Sequence, residues 1–218
     1  KSLNEFYIYE WAGVNTETGL PQWYKDEIVN GQATGKKEIV NENSQATRYY
    51  FGSALPKVTG GLNNTFTYRM FDLSFLFNFA FGGKVLDTDY IGLMHGFGFV
   101  GGQLHTDILD RWQKPGDVTN VPLLSFKNYI YGSPSTRQLF SGDYARLRNI
   151  TLGFTLPASV AQRQQVVRNL RVYVQADNYL TWVRDAKKGM DPELNLNGTS
   201  NQSSSPMKTL SVGLNVGF

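Results

Sequence analysis

The stretch Phe71 to Phe81 (FDLSFLFNFAF) sets the tightest limit on what this chain can become. Its odd positions are Phe71, Leu73, Phe75, Phe77, Phe79 and Phe81. Its even positions are Asp72, Ser74, Leu76, Asn78 and Ala80. Side chains alternate across a strand with a period of two, so one face collects every large apolar group. Exposed to water, that stripe would exceed any tolerable apolar patch. It must face a core or a lipid. A strand crossing a bilayer needs about 9–11 residues, which is the length of this run.

The last segment repeats the pattern. Leu210, Val212, Leu214, Val216 and Phe218 share one face. Thr209, Ser211, Gly213, Asn215 and Gly217 share the other. The polar faces of both segments are small and nearly uncharged, which suits the lumen of a barrel. A soluble β-sandwich can show the same alternation, so both architectures stand at this point. Composition is compatible with each. Charged residues are 18% and aromatics 14% of the chain, with 22 glycines among 218 residues. No cysteine is present, which excludes disulfides and thiolate metal sites. The net charge of +3 is scattered and gives no case for nucleic acid. No run approaches the length of a membrane helix, which leaves a barrel open.

Read in order, the chain opens on a strand over residues 5–14, a turn at Asn15–Gly19, and a returning arm over residues 20–24. Residues 25–45 are polar and read as a solvated loop. Residues 47–51 are β-prone. Residues 61–68 and 71–81 form a hairpin around Arg69-Met70. Residues 83–142 read as a long loop carrying one short helix near Thr106–Gln113, with Thr106 as its cap and Pro115-Gly116 as its stop. Strands follow over 143–156 and 169–182, joined by a short connection at 157–168. A polar loop over 187–206 leads to the terminal strand. Ile150, Leu152 and Phe154 lie on an apolar face. Arg146 and Arg148 then fall on the same parity. Either a bulge intervenes or they lie at headgroup level, and the second reading is expected.

Short connections (69–70, 157–168) alternate with long ones (15–58, 83–142, 184–206). Outer-membrane barrels obey that rule, with short periplasmic turns and long outer loops. The expected fold is therefore all-β: about six antiparallel strands at the end of a large transmembrane barrel. Six cannot close a barrel, since the smallest have eight. The chain is thus expected to be one part of a larger wall, lacking its first strands. Its lipid-facing side would be Phe71, Leu73, Phe75, Phe77, Phe79, Phe81, Ile150, Leu152 and Phe154.

Several phrases, in order, resemble one family. They are Glu10-Trp11-Ala12-Gly13-Val14-Asn15-Thr16-Glu17-Thr18-Gly19, then residues 55–64 (LPKVTGGLNN) running into Phe71-Asp72-Leu73-Ser74-Phe75. Next come Tyr144-Ala145-Arg146-Leu147-Arg148-Asn149-Ile150, Leu170-Arg171-Val172-Tyr173-Val174 with Asp177-Asn178, Asp191-Pro192-Glu193, and the Phe-terminated strand. Together they are similar to the C-terminal portion of a SusC/RagA-type TonB-dependent transporter of the Bacteroidota. Ala145 departs from the pattern, where the family more often carries Leu.

The resemblance implies a 22-stranded barrel with an N-terminal plug, driven by TonB from the periplasm. It implies a SusD-like surface lipoprotein as a lid, and oligosaccharide or peptide as cargo. It also implies that Leu210, Val212, Leu214, Val216 and Phe218 carry the signal read by the barrel-assembly machinery. The rivals are a secreted carbohydrate-binding β-sandwich and an outer-membrane barrel enzyme.

Candidate contacts to the lid or substrate are Trp112, Tyr90, Phe97, Phe99, Tyr129 and Tyr131, because aromatic faces stack on sugars and anchor interfaces. The plain alternative is that they pack the loop on itself. The run Asp191 to Gly198 superficially resembles a calcium loop but lacks the closing bidentate Glu. His95 and His105 have no ligand-spaced partner. No catalytic residue, metal or cofactor is expected.

Overall fold

The computed structural model describes residues 3–94, 102–124, 133–157, 169–185, 191–193, 197–200 and 204–217. Twelve strands are present among them: β1 (Glu5–Tyr9), β2 (Trp11–Val14), β3 (Pro21–Val29), β4 (Gln32–Val40), β5 (Arg48–Ser53), β6 (Val58–Tyr68), β7 (Phe71–Phe81), β8 (Lys84–Leu86), β9 (Leu139–Ser141), β10 (Tyr144–Thr155), β11 (Asn169–Val183) and β12 (Thr209–Gly217). One short helix, α1, covers Thr88–Met94. Two compact units result. The first gathers residues 1–55, 83–141 and 194–203, and the second gathers 56–82, 142–193 and 204–218.

The second unit is one antiparallel sheet in the order β12-β11-β10-β7-β6. β6 and β7 pair over their whole length, from Val58↔Phe81 to Tyr68↔Phe71. The turn between them is two residues long, and Arg69 takes a positive φ of 55° to make it. The registers put like with like across every pair. Phe71, Leu73 and Phe75 face Phe154, Leu152 and Ile150 on β10. Those face Val172, Val174 and Ala176 on β11. They in turn face Leu214, Val212 and Leu210 on β12. A continuous apolar face follows, with Leu62, Phe66 and Tyr68 completing it on β6, and these side chains are largely exposed. A one-residue slip anywhere would move a whole strand to the wrong face, so the pattern pins the register.

Among the described residues this sheet has five strands. Glu5–Tyr9 pairs instead with Arg48–Ser53, inside the first unit. The hairpin expected from residues 11–24 is present as β2 and β3.

Residues 25–45 do not form a solvated loop. They hold most of β3 and all of β4, paired from Trp23↔Val40 to Val29↔Gln32. Asn30 and Gly31 both have positive φ, 54° and 79°. That is the two-residue turn an Asn-Gly pair favours, because both residues tolerate the left-handed region. β4 is polar on both faces and almost wholly exposed, so hydrophobic alternation could not reveal it.

Nor is 83–142 one irregular loop. It contributes β8, α1 and β9, with β8 and β9 pairing directly. The helix expected near 106–113 is a 3-10 turn over Thr106–Asp110, and His105 rather than Thr106 caps it through Nδ1, which accepts from the Asp107 N–H. α1 was not expected. Asp87 starts it, its carboxylate accepting from the Tyr90 N–H at 2.9 Å and from the Ser200 hydroxyl at 3.1 Å. The first unit has two small apolar clusters, one around Phe6, Ile8 and Leu86, the other around Tyr90, Met94 and Val121. Among the described residues no helix is long and apolar enough to cross a membrane, which says nothing of strands.

Candidate functional site: the polar face of the wall

The face opposite the apolar one is built from short polar side chains tied into a lattice. Asp72 on β7 and Arg171 on β11 lie two strands apart. They meet across Gly153 of β10 through contacts of 3.1 Å and 2.5 Å. A Cβ at Gly153 would lie 2.3 Å from the Asp72 carboxylate and 2.5 Å from the Arg171 guanidinium. The Asp72–Arg171 contact thus depends on the absence of a Cβ at Gly153 rather than on backbone torsion. The Arg171 guanidinium also lies 5.1 Å from the Tyr173 ring centre. That ring covers Gly213 on β12, whose absent Cβ would sit 2.1 Å from it. One chain of contacts thus runs across the polar face from β7 to β12.

A second group lies further along the same face. Asn149 donates to Asp177 at 2.7 Å, Thr151 donates to Asn149 at 3.1 Å, and Gln175 donates to Asp177 at 2.9 Å. The sheet then changes step. Both the β7–β10 and the β10–β11 registers shift between Leu147 and Asn149, so Arg148 occupies a β-bulge. The bulge corrects the headgroup reading of the two arginines. Leu147 opposes Phe77 on the apolar side, and Arg146 opposes Asn78 on the polar side. One extra residue restores the alternation, as bulges do.

Arg146 is 1% exposed, the most buried cation described. Its guanidinium donates to both Asp191 oxygens at 2.5 Å, and Glu193 stands 3.4 Å away. Arg148 pairs with the other Glu193 oxygen and reaches Asn178 at 3.4 Å. Asp191-Pro192-Glu193 thus returns from the long connection after β11 and clamps on two arginines of β10. The carboxylates that gave this run its calcium-like look are held by guanidinium groups. Among the described residues no cluster of His, Cys, Asp or Glu could hold a metal. The clamp was legible in part, since both phrases belong to the resemblance, but nothing in the sequence joined them.

The other candidate residues fall in the first unit. Trp112 is half-buried. Its ring packs over Gly19, and its Nε1–H donates to the Thr16 carbonyl at 2.8 Å. It fastens the 106–123 segment to the turn at Asn15–Gly19, where Asn15 Oδ1 accepts from the Glu17 and Thr18 N–H groups. Tyr90 is buried in the second cluster, donates to Asp107 at 2.8 Å, and stacks edge-on with His105 at 4.9 Å. Burial and the Asp107 carboxylate push its hydroxyl up to about 12. Both residues pack the unit on itself. Phe97, Phe99, Tyr129, Tyr131, His95 and Phe218 lie outside the described residues.

Sequence reasoning missed Trp11. It crosses Trp23 edge-on at 5.7 Å, donates to Asn120 at 2.7 Å, and carries Arg137 at 5.2 Å from its ring. Its place in the Glu10–Gly19 phrase was the available signal.

No family model matches the chain. Comparison with characterised proteins finds TonB-dependent receptors of Formosa agariphila. Receptor P3 is 28% identical over 233 residues, which cover 100% of this chain and 22% of the receptor. Receptor P39 is 29% identical over 82% of this chain and 18% of the receptor. The chain thus spans about a fifth of the length of the relatives it matches. Among solved structures, the RagAB peptide importer in its closed-closed state matches 97% of this chain and 22% of its own, at 28% identity and a TM-score of 0.77. Its open-open state matches 98% of this chain at 27% identity and a TM-score of 0.70.

Proposed function

We propose that this chain, a wall segment of a SusC/RagA-type TonB-dependent transporter by sequence and by fold, serves energised nutrient import across an outer membrane. The observation that carries the reading is the exposed apolar face of the five-strand sheet. Phe71 and Phe81 end it with aromatic rings, as do Tyr68 and Phe154 at one end and Phe79 and Trp182 at the other. Ten residue steps at about 3.3 Å, tilted by about 40°, span roughly 25 Å. That is the height of the apolar band on an outer-membrane barrel, with its aromatic girdles. A secreted sandwich needs this face buried under a second sheet, whereas these side chains are exposed. A barrel enzyme needs an acid/base cluster. The acids described on the polar face are held by arginine, as Asp72, Asp191 and Glu193 are, or by amides, as Asp177 is. The named relatives are receptors and transporters.

In this account the apolar face lies in lipid and the polar lattice lines the wet lumen. By the rule of short periplasmic turns and long outer loops, the long connections lie on the extracellular side. A SusD-like lipoprotein docks there and delivers oligosaccharide or oligopeptide. TonB acts through segments outside this chain. RagAB, the solved relative, is a peptide importer, which puts peptides first among cargoes to try. The test is uptake by cells carrying the intact transporter. Accumulation of labelled oligopeptide or oligosaccharide should need both the transporter and TonB. Accumulation that persists after deletion of either refutes the proposal.

A further inference from the structure

One lysine of the first unit sits in an aromatic cage. Lys37 opposes Asp26 in the β3–β4 register. Its ammonium does not stay with that partner but reaches Glu10, 27 positions away, and forms an ion pair there. In that position it lies 4.4 Å from the Tyr49 ring centre and 5.6 Å from that of Tyr24. A cation within about 6 Å of a ring centre is drawn to the negative face of the ring, and cages of such rings recognise amine ligands. Tyr49 is fixed by its own hydroxyl, which donates to Asp26 at 2.5 Å. The Asp26 N–H donates in turn to the Thr47 hydroxyl at 3.0 Å.

Two carboxylates, of Glu10 and Asp26, stand against this one ammonium. Lys25 and Glu38 oppose each other across the ladder and fall on the other face of the hairpin. The Arg48 guanidinium lies over Tyr9, 4.7 Å from its ring centre. The occupant of the cage is also loosely kept. β4 is exposed along almost its whole length, and the Lys37 side chain is 40% exposed. Ion pairs this exposed contribute little to stability. A contact that only tied β4 down would use the acid opposite it, Asp26. It would not need two rings and a second carboxylate.

We propose that Tyr24, Tyr49 and Glu10 form a binding site for the ammonium group of a lysine in a peptide cargo, and that Lys37 fills the site as a built-in competitor. The inference rests on the reading that the transporter takes oligopeptides. The cargo lysine replaces Lys37 over the two rings and against Glu10, Asp26 adds negative potential, and the Lys37 side chain swings into solvent. No covalent bond is made or broken.

The test uses the intact transporter in mild detergent, with fluorescence anisotropy as readout. The probe is a fluorescent, N-acetylated oligopeptide carrying one lysine. Its comparison carries acetyl-lysine at the same place, which removes the charge. Lys37→Gln empties the cage and should tighten binding of the lysine probe by about threefold to tenfold. Binding of the acetyl-lysine probe should not change. In the Lys37→Gln background, Tyr49→Leu should abolish the gain, and Tyr49→Phe, which keeps the ring, should preserve it. Glu10→Gln changes charge and not size, and should remove most of the gain even if Tyr49→Leu fails to fold. Equal affinity of wild type and Lys37→Gln for the lysine probe would overturn the proposal, as would an equal gain for the acetyl-lysine probe. Uptake of peptide and oligosaccharide is followed with the same variants. Peptide accumulation that needs TonB but ignores residue 37 removes this site alone. Accumulation of oligosaccharide and of no peptide removes the peptide reading, and the site with it.

Discussion

The Asp72–Arg171 pair reaches across a glycine, and that geometry can be tested quantitatively. Gly153→Ala places a methyl where the carboxylate and guanidinium now meet, 2.3 Å and 2.5 Å from them. Both groups are far ends of flexible side chains, so they swing aside rather than force the sheet apart. The cost is then the pair itself. Hydrogen bonds to charged groups contribute about 1.5–3 kcal/mol, and exposed ion pairs about 0–1. The side chains are 22% and 27% exposed, so about 1–2 kcal/mol is the working figure.

Asp72→Ala removes the same pair without strain. In that background Gly153→Ala meets no carboxylate and should cost no more than about 0.5 kcal/mol, a typical uncertainty of additivity. The coupling energy is then about 1–2 kcal/mol, and it should shrink in concentrated salt. The assay is a double-mutant cycle on urea titrations, which add no salt, of the intact protein folded into lipid vesicles, followed by tryptophan fluorescence. Equal penalties for Gly153→Ala in the two backgrounds would refute the argument and assign the glycine to backbone needs.

Arg146→Ala strands the carboxylates of Asp191 and Glu193 beside a dry arginine site. Removing one partner of a buried pair costs about 3–5 kcal/mol, and limited proteolysis within residues 186–206 should speed up; an unchanged digestion pattern would count against the clamp. Tyr90 and Tyr49 are both pushed up to about 12, each by burial first and then by the carboxylate its hydroxyl donates to. Unfolded tyrosine ionises near 10, so the stabilisation is full below pH 10 and is lost as pH rises toward about 12. Tyrosinate absorbance should show two late-titrating groups, and Tyr90→Phe should remove one. Trp112→Ala opens a gap over Gly19 and frees the Thr16 carbonyl. It should destabilise the first unit by about 2–3 kcal/mol in the same denaturation assay, and Trp112→Phe by less.

What the sequence revealed depended on how each residue is held in place. Phe71–Phe81 and Leu210–Val216 were readable because one face is apolar and the other polar, which gives a strict alternation. β4 was not, because Gln32–Val40 is exposed on both faces and only the Asn30-Gly31 turn marks it. Arg146 and Arg148 looked misplaced because parity counting alone could not choose between a bulge and a headgroup position. The partners that fix them, Asp191 and Glu193, are 45 positions away. Trp112 and Tyr90 were expected as contacts to a lid or substrate, and the structure shows the bonds they make within their own unit. Such long-range pairings leave no local period to count.

On the proposed function, one face of the sheet lies in lipid and the other in water. This chain contains no cysteine, so single cysteines introduced along β12 at residues 210 to 216 meet no competing thiol within it. Each is labelled with a fluorophore in the membrane-inserted protein and quenched by brominated lipid. Quenching should be strong at positions 210, 212, 214 and 216, and weak at 211, 213 and 215. Quenching that fails to alternate, or that alternates with the opposite parity, would contradict it.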